Sequence, residues 1–344
     1  MRKIMYRKHL LTTSVLALAA LLIGCSSAHQ YADAQESNQL DVDEPVHIVL
    51  AGYGPSTSSF SQGLTLIGNR LEAKFPDQVQ VSYVYNILEL GYSGASAQMD
   101  LVEKDALTMG YVTMSTGIPA LEIAALPFLF TDNESVRAAM DGPLGQSAID
   151  SIEANSELKI LGFYENGFRH VSNSVRSVRT PSDLTDLKIR VLAIQKETLE
   201  LLGAAPLVTA LPLVYPGLTS GELEGQENPF ENVITYRMFE SQKFYTKTYH
   251  SYMSRPMFVH ESTFNSWPIA LQTEFQVAVD EAIAVQRALH DQAEIDAEDF
   301  IKEYGGEVVD LTAEERQLFV DAVAPIYANA RAQYSPKLLA LVGL

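Results

Sequence analysis

Val46-His47-Ile48-Val49-Leu50 reads as a buried first strand, ending in the small, glycine-rich turn Ala51-Gly52-Tyr53-Gly54-Pro55-Ser56-Thr57. Phe60 to Phe75 has helical spacing (Leu64, Ile67, Leu71, Phe75) and stops before Pro76. Val79-Gln80-Val81-Ser82-Tyr83-Val84-Tyr85 alternates as a second strand, Ser93 to Glu103 reads as a helix, and Leu107-Thr108-Met109-Gly110-Tyr111-Val112-Thr113 as a third strand. Strand, helix, strand, helix, strand predicts an α/β lobe on a largely parallel sheet. Ligands of such sheets sit beyond the carboxyl ends of the strands, here Tyr53 and its neighbours, Asn86, and the stretch from Thr113 to Ser115.

Downstream, Ala124 to Phe130 reads as an apolar loop, and Asp132 opens a helix through Met140. Lys159 to Phe163 is a strand leading to Glu165-Asn166-Gly167-Phe168-Arg169-His170. Thr180-Pro181-Ser182-Asp183 is a capping signal before one helical turn, followed by the strand Leu187-Lys188-Ile189-Arg190-Val191. Thr198 to Leu202 reads as a helix, Pro206 to Thr209 as a short strand, Val233 to Phe239 as a helix and Tyr245 to Tyr252 as a strand. From Ser266-Trp267-Pro268 a helical pattern runs to about Tyr304, long enough to lie along two lobes as a strut. Thr312 and Glu315 form a capping box for a last helix through Tyr334.

The amino terminus has the pattern of an export signal. Arg2, Lys3, Arg7 and Lys8 precede an apolar run from Leu10 to Ile23 that is too short to span a bilayer. The run ends in Leu22-Ile23-Gly24-Cys25, which resembles a bacterial lipobox; an ordinary signal peptide with an incidental cysteine is the alternative. Cys25 is the sole cysteine, so the chain holds no internal disulfide, and it sits where lipidation needs a thiol. On this reading residues 1–24 are a lipoprotein signal peptide, 25–44 a polar tether, and Cys25 carries the lipid that fixes the protein to a membrane in the periplasm. Residues 45–167 with 254–292 would form the first lobe, and 168–253 with 293–344 the second.

The full chain carries a net charge of −19; without the four cations of the signal it is −23. That field repels nucleic acid and would also repel an anionic solute, so any anion must be recruited locally by cations. No nucleophile elbow, zinc-protease helix, phosphate loop or dinucleotide fingerprint occurs, and the seven histidines have no metal-ligand spacing. These absences argue against an enzyme and predict neither cofactor nor metal. Arg169 follows a strand and a glycine turn, and Arg190 lies inside an apolar strand. A strand arginine is commonly a solvated edge residue. The functional alternative is that the guanidinium, a planar fork that stays charged when buried, matches a carboxylate bidentately.

Several blocks around these arginines resemble the DctP-type substrate-binding proteins of TRAP transporters. They are Gly167-Phe168-Arg169-His170-Val171-Ser172-Asn173-Ser174, Thr180-Pro181-Ser182-Asp183-Leu184, Leu187-Lys188-Ile189-Arg190-Val191, Leu202-Gly203-Ala204-Ala205-Pro206, Gly225-Gln226-Glu227-Asn228-Pro229 and Gln242 to His250. Weaker similarity extends to Ala125-Leu126-Pro127-Phe128 and Trp267-Pro268. The resemblance implies a two-lobed periplasmic-binding-protein (Venus-flytrap) fold of α/β class with a long helix spanning both lobes. It implies hinge closure on a small organic acid and delivery to TRAP membrane permease subunits driven by an ion gradient. Carried over residue by residue, the carboxylate-binding arginine falls on Arg190, a second on Arg169, a pocket asparagine on Asn228, and a contact from the opposite lobe on Tyr53. Thr113 and Phe230 complete the candidate set.

The chain departs from the family pattern at Leu192-Ala193, at Val214 and at Thr113, where an acid is often found. Those changes predict a less polar pocket and a monocarboxylate with an apolar body. Three readings stand side by side: transport binding protein, sensor or scavenger lipoprotein of the same fold for a more hydrophobic ligand, and a hydrolase or lyase acting in the cleft. In this family the long helix is also where a homodimer would form.

Overall fold

The computed structural model describes residues 39–344 except Ser115; the export-signal segment and Cys25 lie outside the described residues. The strands are β1 (Val46–Ala51), β2 (Val79–Val84), β3 (Met109–Tyr111), β4 (Leu158–Asn173), β5 (Lys188–Val191), β6 (Ala205–Val208), β7 (Gly225–Asn228), β8 (Phe244–His260) and β9 (Glu307–Asp310). Among the described residues they form a nine-stranded sheet in the order β2-β1-β3-β8-β4-β7-β5-β6, with β9 on β8.

This sheet has two halves. In one, β1 pairs in parallel with β2 and β3, and β3 runs antiparallel to the Met257–Val259 end of β8. In the other, β5 pairs in parallel with β6 and β7, and β7 runs antiparallel to the His170–Asn173 end of β4. β4 and β8 are long, antiparallel to each other, and pass through both halves, with register shifts between Ile160 and Gly162, Glu165 and Gly167, and Arg169 and Val171. The observed architecture is the α/β arrangement expected of a two-lobed binding protein.

Periodicity explains the elements near the cleft. In β1 the side chains of Ile48 and Leu50 are fully buried, and on the first helix, Ser59–Lys74, so are Leu64, Ile67 and Leu71. Burial stabilises by about 1.5–3 kcal/mol per large aliphatic side chain. Ser58 caps that helix by accepting from the Ser61 N–H at 3.2 Å. Asp132 caps the helix Asn133–Met140 in the same way, accepting from the Ser135 N–H at 2.7 Å.

The long helix Ile269–Tyr304 has 36 residues, about 54 Å at 1.5 Å per residue. It packs on the first helix, on β4 and on the short helix Phe230–Thr235. Its buried positions change character along its length. Leu271, Phe275, Val279 and Ala282 enter the main core, Gln286 and His290 are buried polar, and Ala297 and Ile301 enter a second, smaller core. The pattern from Thr312 breaks in two at Pro325, giving helices Ala313–Ala322 and Ala324–Gln333, since proline lacks the N–H a continuing helix needs. Tyr327 on the second of them and Tyr334 just past its end donate to the Pro127 carbonyl and to Glu122, each at 2.7 Å.

Candidate ligand-binding cavity

Between the two halves lies a cavity of roughly 380 Å³, within the usual range for small-molecule sites. Tyr53, Thr113, Arg169, Arg190 and Asn228 all line it. Phe230 does not. It is buried with its ring 4.8 Å from His170 and 6.1 Å from Tyr245, and it borders a different pocket with Lys247, Tyr249, His290 and Glu294. Its place at the end of the Gly225–Phe230 stretch suggested the cavity, but the chain turns at Pro229 into the helix Phe230–Thr235 and carries the ring away.

Arg190 stands on β5 between the fully buried Ile189 and Val191, and is itself 4 % exposed. Its Nε donates to the Thr209 carbonyl at 2.9 Å. Among the described residues it has no ion pair and no acceptor for its two Nη groups. Loss of water around the charge, with the Arg169 cation adding to it against the pull of Glu227, pushes the Arg190 pKa down to about 10. The group still carries its charge at neutral pH.

Arg169 on β4 is different. It is 1 % exposed, and its Nε and Nη2 bind both carboxylate oxygens of Glu227 on β7. Its Nη2 also donates to the Asn228 side-chain oxygen at 3.0 Å. Strand register makes this possible, because Val171 faces Glu227 and His170 faces Asn228. Burial alone would raise the Glu227 pKa, but Arg169 and His250, whose Nε2 lies 3.4 Å away, hold it down to about 2. Asn228 is fixed further by donation to Gln226 Oε1 and by accepting from Asn232 at 3.3 Å.

From the other half of the sheet, Tyr53 packs on Tyr111 with ring centroids 5.3 Å apart, and its carbonyl accepts from the Tyr236 hydroxyl at 3.2 Å. Val112, Leu192, Val208 and Leu211 make much of the remaining wall apolar. Sequence reasoning missed Asn166, Asn232, Tyr236 and Arg255, which also line the cavity. Arg255 lies within the Met253-Ser254-Arg255-Pro256-Met257 run, and a charged residue between apolar neighbours on a buried strand was the available signal.

A family model described as bacterial extracellular solute-binding protein, family 7 (DctP), matches residues 51–333. The chain belongs to this family. Family 7 is a family of solute-binding proteins of transporters, not of enzymes. A "Solute-binding protein" of Verminephrobacter eiseniae is 30% identical over 263 residues, covering 74% of this chain and 78% of that protein. The C4-dicarboxylate-binding periplasmic protein DctP of Rhodobacter capsulatus is 27% identical, covering 73% and 78%. The solved TRAP periplasmic solute binding protein of Shewanella oneidensis, with bound succinate, superimposes with a TM-score of 0.80 at 22% identity, covering 87% of this chain and 98% of that one, and so shares the fold. Among the described residues no cluster of His, Cys, Asp and Glu could hold a metal ion, and no helix is long and apolar enough to cross a membrane.

Proposed function

We propose that this family-7 protein captures a small organic acid for a TRAP-type transporter, and that Arg190 is the principal partner of the acid's carboxylate. The observation that carries this reading is the buried Arg190 fork, open to the cavity and without a protein anion. A buried charge without a partner is costly, and a ligand carboxylate would supply one. Arg169 has a positioning role instead: with Glu227 already paired to it, it holds Asn228 in place at the cavity wall. The apolar wall of Val112, Leu192, Val208 and Leu211 favours an acid with an apolar body. Tyr53 and Thr113 reach the ligand from the first half of the sheet and Arg190 from the second, so contacts complete only in the closed form would draw the hinge shut.

Titration calorimetry with small carboxylic acids tests this. Arg190→Ala is expected to cost about 2–5 kcal/mol of binding, a loss of more than about tenfold, with the far-ultraviolet dichroism unchanged. Unchanged affinity in Arg190→Ala would falsify the assignment. Attachment to a periplasmic membrane face through Cys25 belongs to the same proposal, and a diacylglycerol thioether in the mass of the amino-terminal peptide is its signature.

A further inference from the structure

Arg255 is the other cation of the cavity whose hydrogen-bonding needs the protein leaves unmet. It lies on β8 opposite Tyr164 of β4, two residues from the strand end that joins β3, and so in the half of the sheet away from Arg190. It is 4 % exposed and lines the cavity. Among the described residues its side chain forms no ion pair and no hydrogen bond, and its enclosed Nε lacks an acceptor.

What Arg255 does have is aromatic. Its Cζ sits 4.2 Å from the Phe60 ring centroid and 4.9 Å from that of Tyr53. Two ring faces offset part of the positive charge. They do not satisfy N–H groups that point outward in the guanidinium plane, which need an oxygen. The acids near the site are already engaged: Glu227 with Arg169, and Glu231 with the Ser59 N–H and His290. The Tyr236 hydroxyl donates to the Tyr53 carbonyl, and no hydrogen bond joins it to Arg255. A buried donor without an acceptor is a standing cost that a ligand can remove.

We infer that Arg255 is a second ligand-binding and specificity-determining residue, which receives an oxygen acceptor carried by the acid at the end opposite its Arg190-bound carboxylate. This rests on the carboxylate reading above and adds to it what the far end of the ligand must be. The middle of the molecule lies against the apolar wall, and its two polar ends reach the two halves of the sheet. An acid ending in a methyl group leaves Arg255 unmet and is discriminated against, as sites built to hydrogen-bond a group reject the analogue that lacks it. A hydroxyl, a carbonyl and a second carboxylate all offer the acceptor.

Calorimetry with pentanoate, levulinate, glutarate and the terminally hydroxylated pentanoate separates these sources in the native protein, Arg255→Met and Arg190→Ala. The oxygen-bearing acids are expected to bind the native protein at least about tenfold more tightly than pentanoate. Arg255→Met is expected to erase that preference, and Arg190→Ala to weaken every acid. Preference for glutarate alone assigns the far end to a second carboxylate; preference for all three assigns it to any oxygen. If Arg255→Met loses its fold by circular dichroism, Arg255→Leu carries the same comparison. A preference that survives replacement of Arg255 overturns the inference and leaves the carboxylate reading standing. A native protein that binds none of the four acids overturns both.

Discussion

Arg169 and Arg190 lie on the same cavity wall with opposite electrostatic fates, because Glu227 reaches one and not the other. Arg169 and Glu227 are both essentially fully buried, so each is the other's main compensation. Removing one charge of such a pair commonly costs about 3–5 kcal/mol, since the partner is left uncompensated. Glu227→Gln is therefore expected to lose about that much stability in urea unfolding. Adding Arg169→Met should restore part of it, because the stranded cation is then gone. Strict additivity of the two losses would contradict the pairing. The sign of the pH effect follows: Glu227 is held below its ordinary range, so its contribution is present above about pH 4.5 and is lost as pH falls toward about 2. At this scale the sequence was half legible. Arg169, Arg190 and Asn228 could be singled out by motif and strand pattern, but which arginine is free depends on a register that brings Val171 opposite Glu227, and no local pattern states that. Phe230 misled for the related reason that a neighbour in sequence can face away after a turn.

The two crossing strands show what an element-level reading loses. β4 and β8 read as the short strands Lys159–Phe163 and Tyr245–Tyr252, whereas they run Leu158–Asn173 and Phe244–His260. Their centres hold buried polar residues, among them Glu165, Asn166, Arg169, Ser251 and Arg255, and alternation disappears where both faces are enclosed. Bulges add to this by shifting register three times along β4. The long helix was legible to within a turn, because its apolar spacing is sustained at both ends. Where helix and strand cross, Gly167 has φ +87, and a Cβ there would stand 2.1 Å from His290 Nε2. Both the backbone conformation and the closeness of the ring require glycine. Gly167→Ala should destabilise by at least about 2 kcal/mol, combining the strained φ with overpacking. A thermal melt within a degree of the native protein's would show that the crossing has slack it should not have.

On the scale of the whole molecule, one carboxylate ties together segments far apart in the chain. Glu231, on the helix beside the cavity, accepts from the Ser59 N–H at 3.1 Å and pairs with His290 Nδ1 of the long helix at 2.7 Å. The first helix, the cavity helix and the strut thus meet at a single ion pair. Burial would lower the His290 pKa, but Glu231, Glu294 and Glu165 facing it raise it to about 9. A histidine raised in the folded state contributes stability that is fully present below about pH 6.5 and is lost as pH rises through about 9. The shift corresponds to on the order of 3 kcal/mol. Glu294, whose carboxyl burial raises, has the same sign, since it too holds its proton better when folded. Urea unfolding at pH 6 and pH 9 should therefore show a drop for the native protein that is much smaller in His290→Gln, even though that variant is less stable at the lower pH. Parallel losses in the two proteins would mean that the strut is held by its apolar ends alone. A flattened profile would place the charge at the junction where cavity, first helix and strut are joined.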